Sequence, residues 1–464
     1  MAKDNILLIT TDQQRFDTLN AWGNQSIFTP HLNYMAAMGI SYKNCYASCP
    51  ICVPSRTTIM TGRQGYESGV ISNATHETFM RACTEERSTL PAVLTDAGYQ
   101  TCAKGKMHFE PARAHYGFEH MKLPLDYMRE YDKKQVLAHP KAHGVGECEA
   151  EPVISTVDVK DSITSWIAEE SIDFLETRDT TRPFFLWTSF TKPHPPFDPC
   201  RDFWELYDNI PMPDAVTGDW SRTVEETPQG FLAGSYENTN LHLFGKEQRA
   251  ASKRAYYACI TQVDYALGRI FGCLRENDLF KNTWIIFTAD HGEMLGDHHM
   301  SQKNLFFEGS AHVPLLIMPP QGRSLPQNIS VEAPTDLVDL YPTILAMAGL
   351  SSPVSVSGRN HGSYILWKQF KQELLCHGGK GEAGLLCSRR SRSALRLKYR
   401  SHGTAQPRRG SCLAGTQGKA LEASAGAYRT VYARGAGREG SVPYLRSPPL
   451  PRRCARTVVW FPLS

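Results

Sequence analysis

The chain is 464 residues long, 41% of them hydrophobic, with a formal net charge of +3, so it can bury one large core and a smaller satellite. Its apolar content and its frequent Gly and Pro exclude a fibre or a wholly disordered chain. No apolar run approaches the ~20 residues that span a bilayer.

The elements alternate along the chain. Near the N-terminus only Ile6 to Ile9 are continuously apolar, too short for a signal-peptide core of ~7–15 residues. Asn5–Thr10 therefore reads as a first buried strand, and the chain as written is expected in the cytoplasm. "CPICVPSRTTIMTGR", Cys49 to Arg63, places two cysteines just ahead of a helix-like run. The segment Tyr99 to His108 passes from a strand into Lys106 and His108. Ser162–Arg178 has Ile163, Trp166, Ile167 and Phe174 on one helical face. Phe184–Phe190 is a second buried strand. Lys246–Asn277 carries Tyr256, Ile260, Val263, Leu267, Ile270, Phe271 and Leu274 at three- and four-residue steps, as a long helix would. Thr283–Thr288 and Val313–Met318 follow as further buried strands of parallel type, and Thr335–Ala348 as a helix capped by Gly349. The alternation predicts an α/β domain with a large, mostly parallel (mixed) sheet sandwiched by helices. In such sheets ligands sit beyond the carboxyl ends of the strands.

The residues that follow the strands are the chemical ones. Asp12 and Gln13 follow the first strand, and Asp290, His291 and Gly292 follow Thr283–Thr288. His194 lies in the proline-rich loop after Phe184–Phe190. Taken singly, Asp12 could be a helix cap, His194 a surface residue and Lys106 a solvated charge. Gly292 is expected to permit a tight turn that aims Asp290 and His291 forward. Together the carboxylates favour a hard divalent cation over zinc. Arg56, Lys106, His108, His194 and Lys303 add the donors that a tetrahedral oxyanion, sulfate or phosphate, requires. A helix beginning just after residue 52 is expected to aim free N–H groups at that anion, with Arg56 one turn along.

Cys52-Val-Pro-Ser-Arg56, continued by Thr-Thr-Ile-Met-Thr-Gly62-Arg63, resembles the signature of the type I (formylglycine-dependent) sulfatases of the alkaline phosphatase superfamily. "LLITTDQQR", "GKMH", "TKPHPPF", "FTADHGEMLGDH", "KNLFFEGSAHVPLLI" and "PTDLVDLYPTILAMAG" extend the resemblance, in the family's order, across about residues 1–350. The resemblance implies an alkaline-phosphatase-like fold and a sulfuric ester hydrolase acting on sugar or aryl sulfates. It implies that a formylglycine-generating enzyme oxidises Cys52, whose aldehyde hydrate attacks sulfur with one hydroxyl and collapses the adduct with the other. Arg56 would steady the hydrate and His108 assist it; Lys106, Lys303 and His194 would contact the sulfate oxygens, and one of these groups would protonate the departing oxygen. Asp12, Gln13, Asp290 and His291, with the modified Cys52 side chain, would hold the metal, Ca²⁺ first and Mg²⁺ or Mn²⁺ as alternatives. Gln13 stands where many members carry a second Asp, and His312 where Arg is frequent.

Three rival readings stand beside this one. A phosphatase or phosphonate monoester hydrolase would use the same metal and cations. Cys49-Pro-Ile-Cys52 is a C-x-x-C, yet a redox pair has no use for Asp12 and Asp290. The third arises from the C-terminus. The catalytic domain is expected over residues 1–350 and a C-terminal region over 351–464. From 371 onward there are 18 Lys plus Arg against 4 Glu and no Asp or Ile, a net +14 on a body of −11. This Arg/Gly/Ser/Ala-rich stretch shows neither strand nor helix period, as an out-of-frame or poorly ordered segment would, and the product could then be an inactive, truncated sulfatase-like protein. Neither a nucleic-acid nor a membrane partner is expected. The thirteen cysteines are scattered and odd in number, unlike a disulfide framework; reduced, buried thiols are expected at Cys45, Cys83, Cys102, Cys259 and Cys273.

Overall fold

The first strand shows how the layers form. Ile6, Leu7, Leu8 and Ile9 are all fully buried, because successive side chains of a strand point to opposite faces. Ile6 and Leu8 join one core with Phe185, Trp187, Ile286 and Tyr341. Leu7 and Ile9 join another with Leu186, Ile270, Ile285 and Phe287. A strand apolar on both faces must be covered on both, and each such side chain contributes about 1.5–3 kcal/mol on burial.

The computed structural model describes residues 3–74, 77–133, 139–236, 239, 241–323, 325 and 327–361. The basic region from 371 lies outside the described residues. Among them, nine strands form one sheet: β1 (Asn5–Asp12), β2 (Ile40–Tyr46), β3 (Gln100–Gly105), β4 (His120–Lys122), β5 (Phe184–Pro193), β6 (Thr283–Ala289), β7 (His312–Met318), β8 (Ile329–Val331) and β9 (Thr335–Asp336). The order is β4-β3-β5-β1-β6-β7-β2-β8, with β9 also paired to β2. The stretch β3-β5-β1-β6 is parallel throughout. Helix Lys246–Glu276 turns Val263, Leu267, Ile270 and Leu274 into the second core, beside helix Ile163–Thr177. No helix among the described residues is long and apolar enough to cross a membrane.

Three expectations are corrected. Val313–Met318 is a buried strand, but β7 runs antiparallel to both β6 and β2, and an apolar run carries no information on direction. Thr335–Ala348 is not one helix: β9 is followed by a 3₁₀ turn, Leu337–Asp339, and a helix at Leu340–Met347. Pro342 explains the late start, since in the first helical turn its missing N–H has no helical partner to lose. The N–H of Val338 is taken instead by the Asp336 carboxylate. Gly292 is needed for close approach rather than for a turn: a Cβ there would lie 2.0 Å from the Gly309 carbonyl oxygen.

Candidate active site

The four parallel strands in the middle of the sheet each end at one place. β1 ends in Asp12, β6 is followed by Asp290 and His291, β3 by Lys106, and β5 by His194. Strands about 4.8 Å apart thus bring together residues nearly 280 positions apart in the chain, as Asp290 Oδ1 shows by accepting from the Gln13 backbone N–H at 3.1 Å. Gln13 has φ +73°. Its carbonyl accepts from the Tyr256 hydroxyl at 2.6 Å, and that hydroxyl accepts from the Arg15 N–H at 3.0 Å. The long helix therefore clamps the turn that follows Asp12.

Cys52 opens helix Cys52–Thr61, all ten residues of which are buried. Gly62, at φ +66°, ends the helix with its N–H on the Thr58 carbonyl. The expected fan of free N–H groups is not there. Pro54 has none, the Val53 N–H is taken by Asn73 Oδ1, and the Ser55 N–H by the Ile51 carbonyl. At most the Cys52 N–H remains, so side chains must supply the positive charge.

They do so in quantity. Asp12, Cys52, Asp290 and His291 each present one ligand-type atom, all within 4.8 Å of one another, and all four are buried. Arg56 spans the two carboxylates: Nε donates to Asp290 at 2.8 Å and an Nη lies 3.4 Å from Asp12. Its remaining Nη donates to Ser189 Oγ at 2.9 Å and to the Lys106 carbonyl. The Lys106 ammonium pairs with Asp12. Burial raises the Asp12 pKa, yet Lys106 and Arg56 hold it well below the usual carboxylate range. Burial and the charge of Asp12 push the Cys52 thiol up, but Lys303, His291 and Lys106 pull it well below its ordinary value. Its Sγ lies 3.2 Å from His291 Nε2. The His291 Nδ1–H points to the Gly292 carbonyl at 2.9 Å, which leaves Nε2 facing the cluster.

Lys303 closes the opposite side. It donates to Gln13 Oε1 at 2.6 Å and to His194 Nε2 at 3.3 Å. Burial, Lys106 and Lys303 hold His194 well below the ordinary imidazole pKa, so it is neutral, with Nδ1–H on the Pro195 carbonyl at 2.8 Å. The Gln13 amide is held between Lys303 and the buried Glu293, to which its Nε2 donates. His108 stands apart from the buried cluster. It is exposed, with φ +57°, and lines a cavity of about 590 Å³ that begins at Lys106 and His194 and is walled by Phe109, Leu123, Tyr127 and Met128. His312 is stacked against Phe16 at 3.8 Å, with its nitrogens facing Glu308 and the Lys43 carbonyl.

Ser189, Tyr256 and Glu293 join the site without having been expected there from the sequence. Glu293 lies in the Asp-His-Gly-Glu run and could have been found there; Ser189 and Tyr256 are ordinary strand and helix residues with no sequence mark. The two thiols of the C-x-x-C face different partners, Cys49 the Ile71 carbonyl and Cys52 the Asp12–His291 pair. Cys45, Cys83, Cys102, Cys259 and Cys273 are free and buried, as expected.

Comparison with known proteins gives the same answer independently. Residues 4–350 match the Sulfatase family. The chain belongs to the sulfatase family. An arylsulfatase of Clostridium perfringens (strain 13 / Type A) is 33% identical over 389 residues, covering 77% of this chain and 77% of its own length. A choline-sulfatase of Rhizobium meliloti (strain 1021) is 30% identical over 370 residues, 75% of this chain and 68% of its own. Among solved structures, a phosphonate monoester hydrolase of Agrobacterium radiobacter matches with a TM-score of 0.65 at 25% identity, covering 82% of this chain and 78% of that one. This sulfatase is therefore a hydrolase of the alkaline phosphatase superfamily.

Proposed function

We propose that this sulfatase cleaves aryl or sugar sulfate monoesters at residue 52, after a maturation enzyme has converted Cys52 to formylglycine, with a divalent cation beside it. The observation that carries the reading is the placement of Cys52: a buried side chain in the first turn of a helix, 3.2 Å from His291 and among two carboxylates and two lysines. When present, the aldehyde hydrate at residue 52 would supply the nucleophilic hydroxyl and the metal would supply Lewis-acid stabilisation of charge on the sulfate.

The donor set fits a cation. Asp12 and Asp290 are fully buried carboxylates, His291 Nε2 faces them at 3.8 and 3.7 Å, and Gln13 Oε1 is one neighbour away, on Lys303. Such a carboxylate-led set suits Ca²⁺, with Mg²⁺ or Mn²⁺ as alternatives. Arg56 keeps both carboxylates in place. Lys106 and Lys303 face the sulfate oxygens. Neutral His194 accepts from Lys303, so Lys303 holds the proton that the departing oxygen takes. His108 lines the cavity, whose aromatic and aliphatic wall receives the alcohol.

The test is the mass of the tryptic peptide Asn44–Arg56 from protein made in its own host, with turnover of 4-nitrophenyl sulfate. An aldehyde or hydrate at position 52 is expected, together with turnover that survives Cys49→Ser and is lost in Cys52→Ala. An unmodified thiol with no turnover would sink the proposal and favour an inactive sulfatase-like product. The likeness to the Agrobacterium phosphonate monoester hydrolase favours a second reading, in which phenyl phosphonate monoesters are turned over faster than phenyl sulfate at the same site.

A further inference from the structure

The loop that carries His194 is poor in backbone donors: within residues 192–198 the Asp198 N–H reaches the Pro196 carbonyl at 3.0 Å. Residues 192–198 read Lys-Pro-His-Pro-Pro-Phe-Asp, and its three prolines have no N–H to donate. Lys192 supplies what they lack. Its ammonium donates to the Pro196 carbonyl at 2.7 Å, reaches the His194 carbonyl at 3.4 Å, and pairs with Asp198. Asp198 in turn lies 3.3 Å from His143 Nε2, and the three side chains are 13%, 13% and 5% exposed. They stand in the wall of the cavity next to His194. The His194 ring is aimed by its own loop, through Nδ1–H on the Pro195 carbonyl, so whatever fixes the carbonyls on either side of Pro195 fixes the ring.

We infer that Lys192, held by Asp198 and His143, is a positioning residue that sets the His194 imidazole against Lys303. It touches no reacting atom. The inference rests on the proposed role of His194, and the experiment separates the two. Its first arm needs no turnover: nitrogen NMR of the His194 ring in the full chain. A single Nδ1–H tautomer is expected in the wild type, and averaged tautomers in Lys192→Met. The second arm is a double-mutant cycle with 4-nitrophenyl sulfate. Lys192→Met is expected to lower kcat on the order of 100-fold, as small displacements of catalytic groups do, with KM within roughly 3-fold. The double variant Lys192→Met/His194→Ala should fall no further than His194→Ala alone. Unchanged ring signals, or losses that multiply in the double variant, would overturn the inference. If Lys192→Met does not fold, Asp198→Asn gives the same two readings with smaller effects. Near wild-type turnover in His194→Ala would sink the role of His194 instead, and the ring signals would still decide whether Lys192 positions it.

Discussion

Arg56→Ala tests the charge balance of the site most directly. The guanidinium is 3% exposed and faces two carboxylates that are wholly buried. Removing it leaves Asp290 Oδ2 without its 2.8 Å donor and takes partners from Ser189 and the Lys106 carbonyl. Asp12 retains Lys106, so Asp290 bears most of the loss. Deleting one partner of a buried pair costs about 3–5 kcal/mol, because the other charge stays buried and uncompensated. Equilibrium urea unfolding of the metal-free protein would read this as a lower midpoint at unchanged slope. Arg56→Lys should recover only part, since one ammonium cannot serve a fork of separated acceptors. Saturation with Ca²⁺ or Mn²⁺ should narrow the gap, because a bound cation neutralises the same carboxylates. A loss below about 1 kcal/mol in the metal-free protein, typical of a surface pair, would refute the argument that Arg56 compensates buried charge.

Three further outcomes are expected. Gly292→Ala drives a Cβ to 2.0 Å from the Gly309 carbonyl oxygen, and overpacking against backbone should cost at least about 1–3 kcal/mol; an unchanged thermal midpoint would show that the two segments are not in contact. Titrating chelated protein with Ca²⁺ or Mn²⁺ should raise stability by about 2.7 kcal/mol at a hundredfold excess over Kd, and no shift with either ion would remove Asp12, Asp290 and His291 from a metal role. Burial pushes the Asp198 carboxyl up, but Lys192 and His143 hold it below the ordinary value. Its folded pKa is depressed, so its contribution is present above about pH 4 and is lost as pH falls through the folded pKa; Asp198→Asn should flatten the acid limb of the stability profile, and an identical limb would contradict the pairing.

Much of this was legible in the residues. The cores of β1, β5, β6 and β7 are near-continuous apolar runs, and the helices 163–177 and 246–276 carry apolar residues at three- and four-residue steps over part of their length. The polar residues at the ends of β1, β3, β5 and β6 pointed to the candidate site, because in a parallel sheet the strand ends are where chemistry can be placed. Strands β2, β4, β8 and β9 were missed: β2 carries Ser41, Lys43 and Asn44 among its apolar residues, and the other three span only two or three residues each. The free N–H groups expected at Cys52 failed because Asn73, twenty residues away, takes one of them.

The sequence by itself determined the strongly apolar or periodic elements and the inventory of charged and nucleophilic groups, since period and strand-end position are properties of neighbours in the chain. Tertiary structure alone decided the antiparallel direction of β7, the clamp of Tyr256 on the Gln13 turn, the Glu293–Gln13–Lys303 chain and the setting of His108 apart from the buried cluster. The first three depend on contacts between residues far apart in the chain, and the free energy of such a contact exists only once the sheet has brought both partners out of water together.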